Sequence, residues 1–265
     1  MLRRLFHERR HTFEQLILAM VLPALAGAIN ASGLFAVGTY TSHVTGTVAR
    51  IGDELAQGRW HMASRAVTFV GSFIGGAMAA TFLIVRARAR GRALYWRVLA
   101  LECALLLVFA TANVNSEKRR VGDYLLTALI FAAMGLQNAM VTKISGARIR
   151  TTHLTGVSTD IGIELVRLSF WWRERARGMT LRQQVRTLPQ LGEAPDFRHL
   201  RLHLAIFSSF LTGAIAGPAL YLAVGHYALL VPCAVLALLA AVDASLGLTG
   251  ERPPAAKVAD AITVA

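Results

Sequence analysis

Thr41-Ser42-His43-Val44-Thr45-Gly46, followed by Ile51-Gly52-Asp53-Glu54-Leu55, recurs 110 residues later. The second copy reads Thr151-Thr152-His153-Leu154-Thr155-Gly156, then Ile161-Gly162-Ile163-Glu164-Leu165, and eight of sixteen positions are identical. Upstream, Gly27-Ala28-Ile29-Asn30-Ala31 matches Gly135-Leu136-Gln137-Asn138-Ala139. Downstream, Gly71-Ser72-Phe73-Ile74-Gly75-Gly76-Ala77 matches Ser208-Ser209-Phe210-Leu211-Thr212-Gly213-Ala214. The three matches keep the same order in both halves, so the chain reads as one unit used twice. A fainter likeness, Cys103-Ala104 with Cys233-Ala234, is weak enough for shared composition to explain.

Around these stretches the chain is apolar. Of 265 residues, 55% are hydrophobic and only 16% charged, with a mean hydropathy of +0.49. Soluble domains carry about 25% charge, so a water-soluble enzyme and a disordered chain are both disfavoured. Six apolar runs approach the ~20 residues that a bilayer crossing needs. They cover 16–38, 66–85, 98–115, 124–142, 203–224 and 226–248. Ala24-Leu25-Ala26 behind four arginines has the look of a signal-peptidase site, but the run continues through Leu34, Phe35 and Val37, which predicts a retained first span. Lys and Arg concentrate on one side, twenty-two against five, which predicts cytoplasmic N- and C-termini.

Each repeat unit is span, motif, span, span. Three crossings are an odd number, so the second copy enters from the opposite face. The predicted fold class is all-α, a polytopic membrane protein of six transmembrane helices. They form two inverted three-helix repeats, each with a short broken or half-helix motif. A basic N-terminus (1–15) precedes the first repeat (16–115, motif 41–56). The second repeat (124–248) holds motif 151–166 and a basic cytoplasmic segment 170–202, and a tail spans 249–265.

The six spans, the paired His-x-Thr-Gly stretches and the Gly-x-x-Asn-Ala stretches resemble the YoaK-like family of uncharacterised bacterial membrane proteins. The resemblance covers about residues 14–248. It implies a multi-pass protein of the bacterial inner membrane and implies no reaction.

The chemistry-bearing residues cluster in the motifs. Val44, Val48, Ile51 and Leu55 recur at helical spacing, as do Leu154, Ile161, Leu165 and Leu168. Thr45 or Thr47, and Thr155 or Ser158, are candidate N-caps. A half-helix starting at membrane depth presents free N–H groups to an anion, and Gly46 and Gly156 permit close backbone approach. One reading is a solute or ion site built from two opposed helix starts; the other is a pair of capped interfacial helices.

His43 and Glu54, like His153 and Glu164, are eleven residues apart, about three turns. Across antiparallel copies, His43 would meet Glu164 and His153 would meet Glu54 as a proton or cation relay. The bland alternative is a helix-end histidine and a solvated glutamate in each copy. Asp160 and Glu164 are like charges at i, i+4 with Arg167 close by, whereas Arg50 replaces Asp160 in the first copy and can pair with Glu54.

Asn30 and Asn138 sit inside spans and either line a path or bond between helices. Glu102 and Asp243, also within spans, are read as structural or functional acids. Gly71-x-x-x-Gly75 and Gly213-x-x-x-Gly217 suggest packing between spans two and five, or a homo-oligomer. Phe170, Trp171 and Trp172 beside Arg173, Arg175, Arg177, Arg182 and Arg186 suit anionic lipid headgroups at 170–186 better than RNA.

No Walker glycine loop, Gly-x-Ser-x-Gly or His-Glu-x-x-His is present in the sequence. The reading is therefore a secondary transporter or channel for a small, possibly anionic solute, with no catalytic residue, metal, cofactor or nucleic acid expected. A membrane-embedded enzyme and a non-transporting scaffold or sensor are the alternatives.

Overall fold

Long apolar stretches with little charge leave the backbone one economical choice in lipid, the helix that satisfies its own hydrogen bonds. The computed structural model describes residues 20–89, 95–112, 121–144, 154–180, 182–183, 192 and 195–246, and the described secondary structure is helical throughout. The helices are α1 Leu22–Val37, α2 Val44–Ala56, α3 Trp60–Ala89, α4 Trp96–Thr111, α5 Val121–Ile144, α6 Leu154–Arg175, α7 Pro195–Val224 and α8 Leu230–Leu246. A short 3₁₀ turn, Gly225–Leu229, joins α7 to α8. Each apolar run therefore holds a helix, and each motif opens one of its own.

Among the described residues, three helical stretches are long and apolar enough to cross a membrane. They are Trp60–Ala89, Tyr124–Lys143 and the continuous stretch His199–Ser245; Leu22–Val37 is apolar but shorter.

The helices pair across the halves of the chain. α1 packs along α7, α3 along α5, and α4 along α8. The motif helices stay local, α2 on α3 and α6 on α7. Glycine sets the closest crossings. A Cβ on Gly27 would fall on the Phe210 carbonyl of α7, and one on Gly135 would fall on the Phe73 carbonyl of α3. Likewise Gly213 meets the Ala24 carbonyl and Gly76 the Ala132 carbonyl. Backbone-to-backbone approach of this kind needs a residue without a side chain.

The expectation that these glycines pack spans two and five together is corrected here. Gly71 and Gly75 face outward with open space beside them, while Gly213 and Gly217 pack on α1 rather than on span two. Gly76, one residue past the predicted pair, makes the contact because only its face of α3 meets α5.

The core is apolar and continuous, with Phe109, Phe131, Leu106, Leu136, Met134 and Ile206 fully enclosed. Near its centre α4 and α8 cross at two cysteines: Cys103 Sγ donates to the Cys233 carbonyl at 3.4 Å, and Cys233 Sγ donates to the Cys103 carbonyl at 3.8 Å. The faint cysteine likeness in the sequence thus marks a reciprocal contact.

The outward faces are apolar too. Val67, Ile74, Met78 and Val85 are exposed on α3, and Leu204, Leu211, Ile215 and Leu222 are exposed on α7. In water such stripes would be a liability, whereas against lipid they cost nothing.

Candidate functional site

α1 ends at Gly38, whose φ of 74° closes the helix as its N–H bonds the Leu34 carbonyl. A left-handed residue here is most readily a glycine. The chain then turns back over α1. Gly33 leaves room for Thr41, and the Ser42 N–H donates to Asn30 Oδ1 at 2.8 Å. Asn30 therefore anchors the loop that delivers the first motif. Asn138, at the matching position of α5, accepts the Thr142 hydroxyl on its own carbonyl at 2.7 Å.

α2 begins at Val44, so His43 occupies the cap position and makes no side-chain cap bond. This corrects the capping expectation. Thr47 lies inside the first turn, and its hydroxyl donates back to the His43 carbonyl at 3.0 Å. Thr45 points outward. Gly46 has a specific reason to be glycine, because a Cβ there would sit 2.6 Å from the His43 ring. The histidine and glycine of the motif thus belong together sterically.

Glu54 is buried at the far end of α2 and pairs with Arg59 and with Arg50, the latter at 3.4 Å. The Arg59 guanidinium hydrogen-bonded to it holds its carboxyl below the usual carboxylate range. Desolvation pushes the other way, and Arg50 adds to the lowering.

A cleft of about 510 Å³ opens between the end of α1, the start of α2, the first turns of α3 and the start of α5. Its α2 wall carries His43, Gly46, Thr47 and Arg50; α3 adds Arg65 and Phe69, and α5 adds Tyr124 and Thr127. Leu34, Phe35 and Val37 close the α1 side. Among the described residues, no carboxylate lines the cleft. Arg65 Cζ sits over the Tyr124 ring, 3.6 Å from its centroid, and its Nη1 also donates to Met62 Sδ at 3.6 Å. One turn on, Phe69 stacks on Phe131 at 5.1 Å and 15°.

The second motif differs. His153 lies outside the described residues. Thr155 is exposed, and Gly156 is partly covered in the first turn of α6. Glu164 is buried like Glu54, but its partner is His203 of α7, whose Nδ1 stands 3.0 Å from both carboxylate oxygens. His203 Nε2 lies 4.0 Å from Asp160. Sequence reasoning missed His203, because the matching position in the first half is Ala66 and the repeat gave no signal.

α6 is also longer than a half-helix, running 22 residues. Residues 170–175, assigned from sequence to a separate basic segment, are its last turns, since nothing before Arg175 breaks helical geometry. There Arg175 sits 4.5 Å over the Trp171 ring.

Of the intramembrane acids, Asp243 is structural. Its Oδ2 accepts the Tyr95 and Trp96 N–H groups at 3.1 and 2.8 Å, capping α4 from α8. Glu102 is fully buried, and neither carboxyl oxygen has a hydrogen-bond partner among the described residues.

The family profile described as Protein of unknown function (DUF1275) matches residues 18–242, nearly the whole helical assembly. The chain belongs to the DUF1275 family. Relatives include UPF0700 transmembrane protein YoaK of Bacillus subtilis (strain 168), 25% identical over 204 residues. That match covers 73% of this chain and 90% of the relative. UPF0700 transmembrane protein RA0705 of Rhizobium meliloti (strain 1021) is 28% identical over 239 residues, 90% of each chain. No solved structure matches. With its apolar outer faces and transmembrane relatives, this DUF1275 chain is an integral membrane protein.

Proposed function

We propose that the protein is a secondary transporter or channel for a small anionic solute. It crosses the bacterial inner membrane six times as two inverted repeats, with both termini in the cytoplasm. The observation that carries the reading is the cleft at the first motif, where two arginines and a histidine converge with no carboxylate lining it among the described residues. Such a site favours a negative charge. Its α2 wall is the helix that the repeat supplies a second time as α6. Reciprocal glycine crossings support the inversion: Gly27 on Phe210 mirrors Gly135 on Phe73, and Gly213 on Ala24 mirrors Gly76 on Ala132. The reciprocal Cys103 and Cys233 contacts fall where an axis relating the halves would pass.

In this reading the first motif serves the outer face and the second the cytoplasmic face, and the halves rock about the α4–α8 crossing. Arg175 on Trp171, at the end of α6, faces anionic headgroups of the inner leaflet. Proteoliposomes holding the purified protein are expected to show anion flux, with little flux of the matching cation. Arg65→Gln is expected to lower that flux at least about tenfold, the scale of one lost charge-assisted contact. Equal flux from Arg65→Gln, or cation flux that exceeds anion flux, would overturn the reading.

A further inference from the structure

We infer that the cleft at the first motif selects an organic anion with a flat apolar body, an aromatic monocarboxylate, rather than an inorganic ion. This rests on the anion-transport reading and adds what the rest of the molecule recognises beyond charge.

The cleft is built as a ladder of two flat steps. Arg65 and Phe69 are one turn apart on α3, so they share a face. Tyr124 and Phe131 are two turns apart on α5 and also share a face. The first step is Arg65 stacked on Tyr124, and the second is Phe69 stacked on Phe131. One helical turn, about 5.4 Å, separates the two steps along α3, which places the apolar step beside the charged one.

The charges divide in the same way. Arg50 is engaged by Glu54, and Glu54 by Arg59 as well. Arg65 has no carboxylate partner among the described residues; its contacts are a ring face and a thioether. Nη1 donates to Met62 Sδ, and the other N–H groups of Arg65 make no hydrogen bond among the described residues, so they remain for a carboxylate. An inorganic anion would use those N–H groups but leave Phe69 and the apolar α1 wall unfilled. A cation of the same shape would meet Arg65 and Arg50 as like charges.

The test uses benzoate as the probe and the full chain in nanodiscs, with binding followed by titration calorimetry. Benzoate is expected to bind, acetate and inorganic phosphate at least about tenfold more weakly, and benzylamine undetectably. Arg65→Gln is expected to weaken benzoate about tenfold or more, and Arg65→Lys less, since it keeps charge but loses the fork. Phe69→Ala is expected to weaken benzoate while leaving acetate unchanged. Circular dichroism and elution volume establish that each variant is folded.

The inference is overturned if phosphate or acetate binds as tightly as benzoate, if benzylamine binds equally, or if folded Arg65→Gln keeps full affinity. It is also overturned if benzoate binds in neutral phosphatidylcholine discs but is lost in phosphatidylglycerol discs, because a lipid headgroup would then own the cleft. Benzoate binding without benzoate flux would leave this recognition standing and remove the transport reading. Phosphate flux without benzoate binding would do the reverse.

Discussion

Glu54 and Glu164 occupy the same position in the two copies, and both are buried, yet different bases hold them. Two arginines hold Glu54, and one histidine holds Glu164. Arg is charged at every accessible pH, so in the Glu54 pairing only the carboxylate titrates. For Glu54 the sign is set by Arg59, which lowers the folded carboxyl below its unfolded value of about 4.3. The pairing contributes fully above that value and is lost as pH falls through the lower folded one. In a variant whose only tryptophan is Trp60, next to Arg59, fluorescence is expected to hold steady as pH falls through the ordinary carboxylate range and to change only below it. Arg59→Gln should move that transition to higher pH. A transition unmoved by Arg59→Gln would mean that Arg59 does not set the carboxylate. The Arg50–Glu54 pair was legible as an i, i+4 spacing. His203 was not, because α7 is brought onto α6 only by folding.

At the scale of helices, the decisive contacts lie where backbone meets backbone. Gly135 on Phe73 and Gly76 on Ala132 fix the α3–α5 crossing, and the opposing atom is a carbonyl that cannot rotate away. Gly135→Ala and Gly76→Ala are each expected to cost about 1–3 kcal/mol, the scale of overpacking in a tight interior. Gly75→Ala, in open space on the outer face of the same helix, is expected to change stability little. Thermal unfolding in detergent measures all three. Equal losses at Gly75 and Gly76 would mean the crossing is not glycine-limited. The sequence pattern pointed to Gly71-x-x-x-Gly75 because it counts spacing along one helix. Which face meets a neighbour depends on the neighbour, and here the face is offset by one residue. The cap of the first motif differs from expectation for a similar reason: a threonine scores well as a cap wherever it falls near a start, but the backbone turns at His43, two residues before Thr45.

At the scale of the whole molecule, the pairings α1–α7, α3–α5 and α4–α8 join the two halves throughout, so neither half is a separate body. An inverted arrangement predicts that Thr45 and Thr155, both exposed at the starts of α2 and α6, open to opposite compartments. With the buried Cys103 and Cys233 replaced by Ser, Thr45→Cys is expected to label from outside intact cells. Thr155→Cys should label only after permeabilisation. Labelling of both from one side would remove the inversion and with it the mirrored-site mechanism. The cleft itself is not mirrored. The positions matching Arg50 and Arg65 are Asp160 and Leu202, so the two ends of any path differ in charge.

The amino-acid order alone determined that the chain is helical, where its long apolar helices lie, that one unit is used twice, and that the family is the YoaK-like one. Those are local properties: hydropathy is summed over one bilayer thickness, and a repeat is read residue by residue. Only the tertiary structure decided that α1 seats on α7 and α3 on α5, that His203 answers Glu164, and that Arg65, Tyr124 and Phe69 line one cleft with Phe131 stacked behind Phe69. In lipid all apolar faces are nearly equivalent, so partner choice rests on shape, on where small residues let backbones touch, and on the few polar groups that must be satisfied. None of that is written in the periodicity of a single helix.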